Sequence, residues 1–158
     1  MFRILVVCMG NICRSPTAAA VMQAQVARLQ LQHAVAIDSA GTYGGHEGEK
    51  PDRRARELAK AQGYPQIDAL RARRVRDEDF AAFDLILAMD RQNLAHLQRQ
   101  CPPEHLHKLH LFLVYAGQPD GSEVPDPYYG NAEGFMVVLR LCEAGGEGVL
   151  RRVAMQRG

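Results

Sequence analysis

The chain runs to 158 residues, 47% of them apolar and 23% charged, which fits one globular domain spanning 1–158 and leaves no place for a two-domain architecture or a disordered tail. Lys and Arg total 19 against 18 Asp and Glu, a formal charge of +1, which excludes the broad basic field of a nucleic-acid or membrane-surface binder; any anion site has to be local. No apolar stretch approaches the ~20 residues that span a bilayer, and the opening Met1-Phe2-Arg3-Ile4-Leu5-Val6-Val7 carries no signal-peptide cleavage pattern, so the expectation is a cytoplasmic protein with no membrane association.

The first strand is read over Phe2 to Val7, a β-branched apolar run ending in a loop with Gly10 and Asn11. A helix follows, with Ser15 as the expected N-cap, Pro16 at its first position and Ala18, Met22, Val26 and Leu29 at helical spacing. Val35 to Ser39 reads as a second strand, then comes a loop rich in glycine (Gly41, Gly44, Gly45, Gly48), then a helix from Asp52 to Gln62 stopped by Gly63 and Pro65. The run Arg71-Ala72-Arg73-Arg74-Val75-Arg76 is answered at once by Asp77-Glu78-Asp79 and reads as a solvated face with local ion pairs. Leu85 to Met89 is a buried third strand, with Asp90 placed to cap a helix through Gln100 that stops at Cys101-Pro102-Pro103. Leu109 to Tyr115 reads as the fourth strand. Glu133 to Val153 has helical periodicity, which Gly145, Gly146 and Gly148 weaken or break.

Strands alternating with helices predict an α/β fold, a single-domain three-layer arrangement with a four-stranded parallel sheet and helices on both faces. Function then belongs at the carboxyl ends of the strands, where the first loop, the Ser39 loop, Asp90 and the Pro119–Pro127 loop converge.

Four cysteines, Cys8, Cys13, Cys101 and Cys142, are too sparse for a disulfide framework and show no zinc spacing, so their reactivity is the leading question. His105, His107 and His110 match no standard ligand set, and no metal is expected. The chemistry sits in Cys8-Met9-Gly10-Asn11-Ile12-Cys13-Arg14-Ser15. A loop wrapped between a strand and a helix aims consecutive N–H groups at one point, and the helix N-terminus adds partial positive charge, so a phosphate dianion can be held without lysines. Gly10 and Asn11 tolerate the left-handed angles such a cradle needs. Arg14 supplies a planar fork matched to two phosphate oxygens, and the same field favours a nucleophilic thiolate at Cys8.

C-x5-R-S at the end of the first strand, with Asn11 three residues after Cys8 and Pro16 after Ser15, resembles the low-molecular-weight protein tyrosine phosphatase family. Asp38-Ser39-Ala40-Gly41-Thr42, Ala88-Met89-Asp90 and Asp126-Pro127-Tyr128-Tyr129 stand in the family's order and roughly at its spacing. The resemblance implies a flavodoxin-like topology and a monomer that needs no cofactor. It implies that Cys8 attacks phosphorus to form a phosphocysteine while Arg14 and the loop N–H groups from Met9 to Ser15, through Gly10, Asn11, Ile12 and Cys13, hold the equatorial oxygens. Ser15 would hydrogen-bond the Cys8 sulfur, Asn11 would fix the loop through Ser15 and Ser39, and Asp126 would protonate the leaving phenolate and then activate water. Asp90 reads either as a carboxylate orienting the loop or Arg14 or as a helix cap, and Cys13 either as a redox partner of Cys8 or as a packed loop residue. Tyr128 and Tyr129 could stack on a phenyl ring, with Met9 and Ile12 as apolar walls. The implied substrate is a phosphotyrosine protein, and the family's bacterial pattern adds a tyrosine kinase as partner.

The chain also departs from the family. Gly44-Gly45-His46 stands where relatives often carry an aromatic residue, leaving Tyr43 as the nearest ring, and Leu70 stands where relatives often have a histidine bracing the phosphate loop. Phosphoarginine hydrolysis is the near rival, but Ile12 suits an aryl ester better than a guanidinium. Arsenate reduction would need relay cysteines that Cys101 and Cys142 do not offer. A phosphate-binding or redox-sensing protein without turnover would lack Cys8 or Asp126, and both are present.

Overall fold

A computed structural model, which describes residues 1–128 and 130–157, builds its sheet around the N-terminal apolar run. Strand β1 (Phe2–Cys8) pairs in parallel with β2 (Val35–Gly41) on one side and β3 (Leu85–Ala88) on the other, and β4 (Leu109–Leu111) adds to β3, giving the order β2-β1-β3-β4. A central strand covered on both faces has to be apolar along its whole length, and Ile4, Leu5, Val6 and Val7 are all fully buried. Ile4, Val6 and Cys8 face the layer of α1 (Arg14–Arg28) and α6 (Ala132–Arg157), with Met22, Val138, Leu139 and Cys142. Leu5 and Val7 face the layer holding α3 (Asp79–Ala82) and α4 (Arg91–Gln100), with Phe80, Ile86, Leu97 and Cys101. The expected three-layer α/β arrangement is therefore the observed one.

Register places the chemistry. Cys8 stands opposite Gly41 and Val7 opposite Ala88, so the loops after β1, β2 and β3 leave the sheet at one edge. Helix α2 (Arg53–Ala61) and α4 start where their caps predict: Asp52 accepts from the Arg54 N–H at 2.8 Å and Asp90 from the Asn93 N–H at 2.8 Å. Helix α1 does not. It begins at Arg14 with Cys13 as N-cap and no side-chain cap bond. Ser15 lies inside the first turn, its hydroxyl engaged elsewhere, and Pro16 still costs no hydrogen bond because the first four helical N–H groups have no intrahelical partner.

Two further differences come from packing. The fourth strand stops at Leu111, and Phe112–Tyr115 winds into a helical turn, α5, that buries Phe112 completely. Helix α6 runs unbroken through its glycines because each faces a close neighbour: a Cβ on Gly145 would meet the Phe112 ring, on Gly146 the Gln25 amide, on Gly148 the Ala116 carbonyl. Helix propensity loses about 1 kcal/mol at each glycine, and the close approach of α1 and α5 offsets it. The basic run is only partly solvated. Arg73 turns inward to Asp79 at 2.9 Å and Asp38 at 3.3 Å, while Gly41 and Arg74 form a bridge that extends the β2 edge. Among the described residues no helix is long and apolar enough to cross a membrane.

Candidate active site

The loop from Cys8 to Arg14 is shaped by Asn11, whose φ of 58° puts it in the left-handed region. Asn and Gly are the residues that visit this region at least cost. The turn brings the Asn11 N–H to the Cys8 Sγ at 3.3 Å, and the Ser15 Oγ lies 3.0 Å from the same sulfur. The buried Asn11 amide is used completely. Its Nδ2 donates to the Ser15 Oγ at 2.8 Å and the Ser39 Oγ at 3.0 Å, and its Oδ1 accepts the Arg73 N–H at 2.9 Å. That last bond fixes which way the amide points, since only the oxygen can accept from an N–H.

With Asn11 donating to it, the Ser15 oxygen has one proton of its own to place. The Ala40 carbonyl lies 3.4 Å away and the Cys8 sulfur 3.0 Å away, so the hydroxyl donates to the sulfur when Cys8 is a thiolate and to the carbonyl when Cys8 is a thiol. Around the loop, carbonyls are drawn outward: Cys8 to the Thr42 N–H at 3.0 Å, Met9 to the Tyr43 N–H at 2.9 Å, Ile12 to the Asp52 N–H at 2.7 Å. The N–H groups of Gly10, Ile12, Cys13 and Arg14 have no protein partner among the described residues. Buried N–H groups are rarely left so, and these belong to residues that line one cavity with Cys8 at the start of α1, where the helix dipole is positive.

Arg14 is 3% exposed. Its Nη1 donates to the Asp90 Oδ2 at 2.6 Å and the Val124 carbonyl at 3.0 Å, and its Nη2 lies 3.7 Å from the Asp126 Oδ2. Burial works against its charge, but Cys8, Asp90 and Asp126 outweigh it and hold the guanidinium above its ordinary pKa. Asp90 performs both of its expected tasks, one oxygen capping α4 and the other holding Arg14. Asp126 is more open, 41% exposed at its side chain, and its Oδ1 accepts the Tyr128 N–H at 3.0 Å.

Cys8, Met9, Gly10, Ile12, Cys13, Arg14, Asp126 and Tyr128 line one cavity of about 190 Å³. Asn11, Ser15, Ser39 and Asp90 stand behind its wall and hold it. Tyr129 lies outside the described residues. At Cys13, burial first, then the charges of Asp52 and Cys8, push the pKa far up, so it stays a thiol. Cys142 is pushed up by complete burial.

Apart from Tyr43, named in the sequence as the nearest ring, several members of the site were not assigned by sequence reasoning. Tyr43 and His46 complete the cavity wall, stacked edge to face with centroids 6.0 Å apart, and the Tyr43 ring lies over Gly45, where a Cβ would displace it. Arg54 places Tyr128 by donating to its carbonyl at 2.9 Å, with its guanidinium 5.6 Å from the ring centroid. The brace that Leu70 cannot supply is the Arg73 N–H on Asn11. Only the glycines at 44 and 45 and the arginines near 73 hinted at these contacts, and a main-chain donor leaves no mark in a sequence.

The low molecular weight phosphotyrosine protein phosphatase family model matches residues 3–157. A low molecular weight protein-tyrosine-phosphatase of Streptomyces coelicolor is 41% identical over 158 residues, covering 98% of this chain and 95% of that one. The human low molecular weight phosphotyrosine protein phosphatase is 39% identical over 140 residues, covering 88% and 87%. A crystal structure of a protein tyrosine phosphatase from Entamoeba histolytica, with Hepes in its active site, superposes with a TM-score of 0.93 at 37% identity and covers 100% of both chains.

Proposed function

Because the chain belongs to the low molecular weight phosphotyrosine protein phosphatase family, we propose that it hydrolyses phosphotyrosine in proteins with Cys8 as nucleophile, Arg14 as phosphate clamp and Asp126 as general acid and base. The observation that carries the assignment is one cavity lined by Cys8, by loop residues whose N–H groups have no protein partner among the described residues, by the buried Arg14 and by the half-exposed Asp126, whose carboxyl lies 3.7 Å from the Arg14 guanidinium.

The Cys8 Sγ attacks phosphorus opposite the aryl oxygen. As the S–P bond forms and the P–O bond breaks, charge on the equatorial oxygens meets the loop N–H groups and the Arg14 guanidinium, which Asp90 and Val124 already hold in place. Asp126 gives its proton to the departing phenolate. It then takes a proton from water, whose oxygen attacks phosphorus and expels Cys8 as a thiolate that accepts from the Ser15 hydroxyl and the Asn11 N–H. Ile12 and Met9 give the cavity apolar walls and Tyr43 and Tyr128 give it rings, which suits a phenyl ring entering phosphate first.

We place the enzyme in a reducing compartment, the cytoplasm, on the ground that all four cysteines are free and buried. Cys101 and Cys142 lie on opposite faces of the sheet, so the geometry offers no support for a cysteine relay to Cys8. The test is hydrolysis of aryl phosphate, phosphotyrosyl and phosphoarginyl peptides in EDTA by wild type, Cys8→Ser and Asp126→Ala. Turnover is expected with the tyrosyl substrates and none with Cys8→Ser; activity that survives that substitution would remove the mechanism.

A further inference from the structure

Beside the catalytic cavity lies a second, larger depression of about 690 Å³, lined by Met9, Thr42, Tyr43, Glu47, Arg74 and His96. Met9 and Tyr43 line both, so the two spaces share a wall made of two half-exposed side chains. A peptide whose phosphotyrosine enters the first has its neighbouring residues delivered to the second.

The chemistry of the second space is cationic. Gly44 has no side chain, and the aliphatic stem of Arg74 lies across it, 3.2 Å from where a Cβ would stand. The backbone of Arg74 is fixed, its N–H donating to the Glu47 carboxylate at 3.0 Å and its residue bridging to Gly41. Its guanidinium is exposed and has no ion-pair partner among the described residues. Arg73, one residue earlier, spends its charge on Asp79 and Asp38. His96 enters from α4, where burial first, then the nearby charges of Arg99 and Arg74, hold the imidazole below the usual histidine range. Glu47 is the acidic side chain of the lining, and it is engaged by the Arg74 N–H.

We propose that this depression is a substrate subsite in which the free guanidinium of Arg74, with His96 beside it, selects a carboxylate side chain close in sequence to the phosphotyrosine. The proposal rests on phosphotyrosyl hydrolysis as the activity. An exposed ion pair of this kind is worth roughly a two- to five-fold preference, which falls with salt because the charges remain in contact with solvent.

The experiment uses phosphotyrosyl peptides that differ in a single residue, Glu, Ala or Lys, scanned over the positions flanking the phosphotyrosine on both sides. The readout is the kcat/KM ratio of the Glu to the Ala and Lys peptides within each protein, so that a general change in activity cancels. Wild type is expected to prefer Glu about two- to five-fold over Ala at one or two positions. Arg74→Ala brings the ratio to about one, Arg74→Glu inverts it, Glu47→Gln raises it, and raised salt lowers the wild-type value. A wild-type ratio of one at every position, or a preference that Arg74→Glu leaves in place, overturns the subsite while phosphotyrosyl hydrolysis stands. If aryl phosphate is hydrolysed and no phosphotyrosyl peptide is, the parent reading fails and the subsite with it.

Discussion

Two loops meet at the cavity and they are built on opposite plans. The loop from Cys8 to Ser15 is buried almost throughout and tied to its surroundings by the Asn11 amide, by the Thr42, Tyr43 and Asp52 N–H groups and by the start of α1. The loop carrying Asp126 is exposed over most of its length. It is pinned at Val124, whose N–H reaches the Met89 carbonyl at 2.8 Å, at Glu123, which accepts the Arg91 N–H, and at Tyr128 through Arg54. The difference follows the chemistry. In the proposed mechanism, charge on the phosphoryl oxygens develops at one fixed place, so its donors gain from rigidity, whereas Asp126 as proton donor has to exchange its proton with solvent and let substrate pass.

The sharpest way to break this comparison is Cys8→Ser, which keeps the cradle and removes the nucleophile. A loss of roughly 10⁴-fold or more in kcat is expected, with phosphate binding retained, as isothermal calorimetry with inorganic phosphate would report. Arg14→Lys comes next. It keeps the charge but loses the fork that Asp90 and Val124 hold, so kcat should fall roughly 10²–10³-fold with a smaller effect on KM. An effect confined to KM would mean that Arg14 binds the ground state and the transition state alike.

On the open side, Asp126→Asn should cost about 10²-fold with phosphotyrosyl peptide and under ~10-fold with an aryl phosphate whose leaving group needs no proton. Equal losses with both substrates would assign Asp126 to the rigid half of the site, through its 3.7 Å approach to Arg14, rather than to proton transfer.

How far each half was legible in the sequence follows from the same contrast. The cradle is local: one strand end, seven residues and one helix start, with Asn11 and Arg14 of the types that such a turn and such an anion demand. The helix starts one residue before Ser15 although Ser15 is a capping type, because its hydroxyl is engaged by the Cys8 sulfur, as the family resemblance implies, and makes no cap bond. The fourth strand was read too long because Phe112 to Tyr115 is apolar enough for a strand, and only its packing against Gly145 in α6 decides for a helical turn. The contacts across the sheet edge were out of reach. The Val124 carbonyl on Arg14 and the Arg73 N–H on Asn11 are main-chain groups separated from their partners by 110 and 62 residues, and any residue type supplies the carbonyl and any but proline the N–H.

Ser39→Ala tests whether the rigidity of the cradle is shared among its bonds or resides in one. The Ser39 Oγ accepts a single bond, from the Asn11 Nδ2 at 3.0 Å, in a site where both residues are buried. Removing it leaves one amide proton without a partner away from water, which costs about 1–2 kcal/mol of stability, or roughly 2–8 °C in Tm for a chain of this size. The amide is still held by the Ser15 Oγ and the Arg73 N–H, and the left-handed turn at Asn11 is still favoured by its residue type. The expected outcome is a lower Tm by calorimetry and a kcat within about five-fold of wild type, far from the loss at Arg14, which has no substitute for its fork. A kcat loss as large as that of Arg14→Lys, with little change in Tm, would show that one hydroxyl sets the geometry of the loop and that its other ties only fill it in.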